Sequence, residues 1–135
     1  MNYPLKYIDG MTPFLEVKLK SRHIRTTEKL LEAARTVKGR KDLAANTGIS
    51  EQQWLDWANN ADCMRIKGMG SEKAKLLRRA GVTTVGELSH RNPRKLAEAM
   101  AEANSKHRLM RAQPTEKSVR ILIERARKLP RKITY

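Results

Sequence analysis

Cysteine is nearly absent from this chain. Cys63 stands alone among 135 residues, so no intramolecular disulfide can form and packing must hold the fold. That suits a reducing cytosol. Aromatic residues are only 4% of the sequence. Val and Ile are sparse as well, which excludes a protein built on sheets. No apolar run approaches the roughly 20 residues a membrane-spanning helix needs. The opening MNYPLKYIDG lacks the basic and then apolar stretches of a secretory signal. The expectation is a cytoplasmic protein with no membrane partner. His23, His90 and His107 are scattered, and with one cysteine they offer no zinc-ligand spacing. There is no Ser/His/Asp or Cys/His arrangement, no Walker loop and no acidic cluster for two-metal chemistry. The sequence therefore predicts no metal, no cofactor and no enzymatic activity.

Acidic residues are also scarce. The chain has 14 of them against 29 Lys and Arg, for a net charge of +15. An excess of this size points to a polyanionic partner, whose phosphates relieve the self-repulsion. The charge is uneven: residues 1–67 carry net +4, residues 68–135 net +11, and residues 105–135 alone net +8. The chain is rich in strong helix formers, namely Ala, Leu, Lys, Arg and Glu.

A shift of 58 residues lays the sequence on itself. Ile8, Gly10, Met11, Leu19, Ile24, Thr26 and Leu30 fall on Ile66, Gly68, Met69, Leu77, Val82, Thr84 and Leu88. These are turn glycines, apolar anchors and a helix cap, the positions that define a backbone shape. A looser echo pairs Leu43 with Leu96, Ser50-Glu51 with Thr115-Glu116 and Trp54 with Val119, with an insertion around residues 100–114 in the second copy. Caps and breakers predict helices near 13–22, 27–36, 40–47, 51–62, 71–80, 85–91, 94–106 and 115–129. Thr84-x-x-Glu87 and Ser50-x-x-Gln53 read as capping boxes. The fold class expected is all-α: repeats of about 5–62 and 63–130, each marginal alone, packed as one compact domain with a short basic tail.

The sharpest local feature is ADCMRIKGMGSEKAKLLRRAG, read as a helix, a tight Gly68-Met69-Gly70 turn and a second helix. Glycine supplies the positive φ and close approach that so short a turn needs. The second helix opens with amides that have no intrahelical acceptor, at the positive end of its dipole, and so can seat a phosphate oxygen. Ser71 adds a hydroxyl, and Lys73 and Lys75 add charge. Contact through main-chain amides and lysines holds a nucleic-acid backbone and reads little sequence.

The stretches RKDLAANTGISEQQWLDWAN, ADCMRIKGMGSEKAKLLRRAGVTTVGEL, RNPRKLAEAM and KLPRKITY together resemble a bacterial family, a domain of unknown function made of tandem helix-hairpin-helix repeats. The resemblance implies hairpins like those of DNA repair and recombination proteins, with Gly68, Met69, Gly70, Ser71 and Lys73 as the phosphate-facing positions. Some glycosylases with such hairpins place a catalytic aspartate downstream, but this chain has no aspartate after Asp62.

The first copy departs from the pattern, with Thr12 and Pro13 where a second glycine and a free amide are expected. β-branched Thr12 resists positive φ, so this corner reads as structural. Glu51 opens the helix after the Asn46–Ser50 turn, which argues for structural capping there too. Trp54 and Trp57, three apart on one helix, read as core rather than base-stacking groups. The helix near 115–129 should dock through Val119, Leu122, Ile123, Ala126 and Leu129 and expose cations including Arg125 and Lys128. The reading is a non-enzymatic DNA-binding protein with little sequence preference, cytoplasmic or associated with the nucleoid. Structured RNA is a second possible partner. The alternative function is a helical module that docks a protein in an RNA- or DNA-associated assembly.

Overall fold

A computed structural model describes residues 2–135. Eight α-helices make up the described chain, and no strand occurs beyond an isolated bridge between Pro4 and Thr26. They are α1 (Pro13–Lys20), α2 (Thr27–Ala34), α3 (Val37–Thr47), α4 (Glu51–Met64), α5 (Gly70–Arg79), α6 (Val85–Ser89), α7 (Pro93–His107) and α8 (Glu116–Lys128). A 3-10 turn at Leu5–Tyr7 precedes them, which the helical periodicity did not reveal.

The helix ends fall where the capping chemistry put them. Thr26, Ser50 and Thr84 each accept a hydrogen bond from the amide three residues on, at 3.3, 3.1 and 3.0 Å. These satisfy helix-end donors. The full reciprocal box lies at Thr115 and Ser118, where both halves are present. Gly48 ends α3 in the left-handed region at φ +75°. Arg108 ends α7 in the same way, and the Asn104 amide brackets Met110 with hydrogen bonds of 3.0 and 2.9 Å, folding the 108–114 segment back on α7.

α4 is the central element, in contact with α2, α3, α5 and α6, while α8 packs on α6 and α7. Trp54 and Trp57 are fully buried on α4 and meet edge to face with ring centroids 5.2 Å apart, as their core reading requires. On α8, Val119, Leu122, Ile123 and Ala126 are buried in the same hydrophobic cluster, which runs from Leu5 to Ile133. α1 is the outlier. It packs mainly on the 3-10 turn and leaves Phe14 73% and Val17 69% exposed.

Several backbone hydrogen bonds recur at the 58-residue spacing. Met11 N–H donates to Ile8 O at 3.1 Å, as Met69 N–H does to Ile66 O at 3.0 Å. Ile24 to Leu19 and Val82 to Leu77 are both 3.0 Å. His23, at φ +65°, stands where the later stretch has Gly81 at φ +92°.

Candidate nucleic-acid interface

α4 stops at Arg65, and the chain turns through Ile66–Met69 into α5. Ile66 and Met69 are buried and root the turn in the core, while Lys67 and Gly68 stay exposed. Gly68 has φ +87° and Gly70 φ +67°, so both glycines occupy backbone that side chains disfavour. Right-handed helix begins at Ser71.

The start of α5 differs from every other α-helix start among the described residues. The other seven each have a threonine, serine or asparagine side chain that accepts from a first-turn amide. α5 has no side-chain cap, because Met69 occupies that position. Its first-turn amides therefore receive no side-chain cap of the kind the other helices have.

Cations gather at this open end. Lys73 Nζ donates to Gly68 O at 3.1 Å, and Arg125 Nη1 reaches from α8 to donate to Lys67 O at 2.6 Å. Each bond uses one of several donors and fixes the charge beside the turn. Ser71 Oγ donates to Tyr7 O at 3.4 Å, which ties the 3-10 turn to the helix start. An open cleft of about 490 Å³ runs along the corner, with Tyr3, Tyr7 and Met110 facing the Gly68–Lys73 stretch. Glu72 is the acid on this surface.

Of the residues singled out from sequence, Gly68, Met69, Gly70, Ser71, Lys73 and Arg125 come together here. Lys75 and Lys128 neither line the cleft nor bond to the turn. Lys75 lies two positions from Lys73 and so points away from it around the helix. Lys128 is one turn beyond Arg125 on the same flank of α8. Sequence reasoning missed Tyr3, Tyr7, Met110 and the anchoring role of Lys67. Only tertiary folding places them at this corner.

The corner before α1 is closed in the way the sequence suggested. Thr12 takes φ −101°, its hydroxyl accepts from Leu15 N–H at 3.2 Å, and Pro13 fills the first helical position. Asp9 beside it accepts from Arg79 Nη1 at 3.0 Å and pairs with Arg78 Nε at 3.4 Å. Arg78 also donates to both Asp56 oxygens, so this part of α5 is clamped between α4 and the first corner.

Cys63 lies in the last turn of α4, and burial pushes its thiol up to about 12, with the nearby Asp62 carboxylate adding to the shift. A thiol held in this form is not a nucleophile at neutral pH. No group of three His, Cys, Asp or Glu side chains among the described residues could hold a metal ion. No helix among them is long and apolar enough to cross a membrane.

This is an all-helical chain that leaves one helix start open between fixed cations. Residues 9–129 match the family described as Domain of unknown function (DUF4332), and the chain belongs to that family. No curated protein and no solved structure matches it.

Proposed function

We propose that this chain is a non-enzymatic nucleic-acid-binding protein built from two tandem helix-hairpin-helix repeats, and that it grips the DNA phosphate backbone at Gly68–Ser71. One observation carries the reading: the only uncapped α-helix start among the described residues follows two glycines at positive φ and lies beside Lys73 and Arg125. Leaving out a cap forgoes about 1 kcal/mol of helix stability. A phosphate oxygen on the free amides restores those hydrogen bonds and meets the positive helix end. The hydrogen bonds that recur 58 residues apart support the repeat reading. The capped, acid-bearing first corner supports a division of labour between the two.

The amides offer no base-edge contacts, so specificity should be low. The test is fluorescence anisotropy with unrelated duplexes across a salt series. Affinities for different sequences should agree within a few-fold and fall steeply with salt, with a log-log slope of about −0.9 per phosphate contacted. Strong discrimination between sequences, or affinity indifferent to salt, would overturn the reading. The same titration with structured RNA decides between the two polyanions.

A second reading rests on α1. Phe14 and Val17 form an exposed apolar pair on a helix with little packing of its own, which suits docking on a protein partner. Absence of nucleic-acid binding at low salt would favour it.

A further inference from the structure

The residues after α8 do not trail into solvent. Ile133 is buried in the core cluster, and Thr134 N–H donates to Arg35 O at 2.8 Å. Arg40 Nη2 donates to Thr134 O at 2.5 Å, and the Tyr135 hydroxyl donates to Asn59 Oδ1 at 2.8 Å. Arg65 Nη2 donates to Pro130 O at 2.6 Å. Through these bonds the basic segment is pinned against residues of α2–α4, nearly a hundred positions earlier at its extreme.

Two open cavities flank the pinned segment. One, of about 770 Å³, includes Arg25, Lys29, Arg65 and Lys132 in its lining. The other, of about 390 Å³, shares Arg65 and Lys132 and adds Arg127 and Arg131. Together they make a basic trough with Arg65 and Lys132 at the join. The acids along it are mostly spoken for: Asp62 is paired with Arg65 and Glu32 with Arg35, and Glu28 forms no ion pair among the described residues. Among the described residues, Arg25, Lys29, Arg131 and Lys132 form no ion pair within 4.0 Å, although the Lys132 charge is near enough to Asp62 to favour its ionised form.

We propose that this trough is a second contact surface for a nucleic-acid phosphate backbone, formed by Arg25, Lys29, Arg65 and Lys132. Unpaired like charges on a free tail would spread apart in solvent. Here the hydrogen bonds at Pro130, Thr134 and Tyr135 and the buried Ile133 hold the segment that carries Lys132 beside Arg65, Arg25 and Lys29 around a concave surface, where their fields add. A polyanion is the occupant such a surface fits, because it neutralises several cations along one path and releases its counterions on binding. A second copy of the chain is a poor occupant, since each copy carries net +15. Arg65 ends the helix whose following turn carries Gly68, so the trough adjoins the hairpin in the chain. The choice of nucleic acid as partner rests on the proposed function, but the contact does not depend on the hairpin.

The test is the triple variant Arg25→Ala, Lys29→Ala, Lys132→Ala, bound to one duplex over a salt series, with helicity and melting checked alongside. Arg25, Lys29 and Lys132 lie outside the hydrophobic core, and the one charge contact among them is that of Lys132 with Asp62, so the fold should persist. Loss of three phosphate contacts should flatten the log-log salt slope by about 2.7, so the advantage of the unaltered protein grows roughly 40-fold between 200 and 50 mM salt. In the unaltered protein, Lys29 and Lys132 should be protected from acetylation when duplex is bound. A wild-type slope in the triple variant, or unprotected lysines, overturns the trough. If Gly70→Thr still weakens binding in that case, the hairpin reading stands. If the unaltered protein binds no nucleic acid at low salt, both fall. If inorganic phosphate displaces duplex far better than chloride at equal ionic strength, and only when the trough is intact, the surface is a small-anion site and the proposal is wrong.

Discussion

Replacing Gly70 with threonine asks the second corner to become the first. A Cβ at Gly70 would meet nothing within 4 Å, so the cost is conformational and not steric. If the residue keeps φ +67°, left-handed backbone costs about 1–2 kcal/mol, more for a β-branched side chain. If it relaxes toward the φ −101° of Thr12, its hydroxyl can cap α5 and recover about 1 kcal/mol. Stability should thus change by between about +1 and −3 kcal/mol, which for a chain of this size is a melting shift of about 4 °C per kcal/mol. Binding suffers on either path, through a displaced amide or through a hydroxyl occupying it. Loss of one hydrogen bond to a charged oxygen is about 1.5–3 kcal/mol, or roughly tenfold to a hundredfold in Kd. Gly70→Ala separates the paths: it carries the strain without the hydroxyl, so it should lose stability and keep more of its binding. Thr12→Gly should lose only about a few tenths of a kcal/mol from the missing cap and bind much as before, because Pro13 has no amide and Asp9 stands beside it. The assay is anisotropy with one duplex at fixed salt, with melting followed by circular dichroism. A Gly70→Thr protein of normal helicity and unchanged affinity would refute the hairpin as the phosphate seat.

The helices were legible because their signals are local. Caps at Thr26, Ser50, Thr84 and Thr115 and breakers at Gly48 and Pro93 mark ends within a turn of the sequence they govern. Helix 94–106 came out as Pro93–His107, and 115–129 as Glu116–Lys128. The 3-10 turn at Leu5–Tyr7 escaped because three residues carry no periodicity. At the interface, Gly68–Ser71 was legible as a turn, and Thr12 as a residue that would refuse positive φ. What could not be read was pairing at long range. Arg125 on Lys67 O spans 58 positions, and Arg40 on Thr134 O spans 94. For the same reason the segment expected as a short basic tail is instead tied down by partners on α2–α4 and their connections. Its basic composition gave no hint of Ile133 as an anchor, since one isoleucine in five residues forms no pattern.

Three further predictions follow from buried groups. Cys63, with its thiol pushed up to about 12 by burial, should resist an aromatic disulfide reagent at pH 8 in the native protein and react at once in denaturant. Rapid native reaction would show that α4 opens at this point. Asp62 is raised from its ordinary 3.8, first by burial and against the opposing hydrogen bond from Arg65. The native state therefore holds the proton more tightly than the unfolded chain does. Its contribution is favourable in acid and is lost as pH rises through the raised value. Asp62→Asn removes that dependence, so the variant should gain on the unaltered protein in denaturant midpoint as pH climbs above about 4; a gap that shrinks instead would contradict the burial argument. Arg40 is 5% exposed and has no carboxylate partner among the described residues; it donates to Ala34 O at 2.9 Å and to Thr134 O. Ala34 is the last residue of α2, so the guanidinium also sits at the negative end of that helix dipole. Arg40→Ala strips two carbonyls of a charged donor but removes the cost of burying the cation, for a net loss of about 2–3 kcal/mol in denaturant unfolding. The structural consequence is sharper than the energetic one, because Thr134 loses a tether and the basic segment loosens. Trypsin should then cut after Arg131 and Lys132 at protein concentrations and temperatures where the unaltered chain is resistant. Lys132 would no longer be held at the join of the trough, so the salt slope of duplex binding should flatten in the same variant. A protein with Arg40→Ala that keeps its tail protected and its slope unchanged would mean that Ile133, and not the guanidinium, holds the trough in shape.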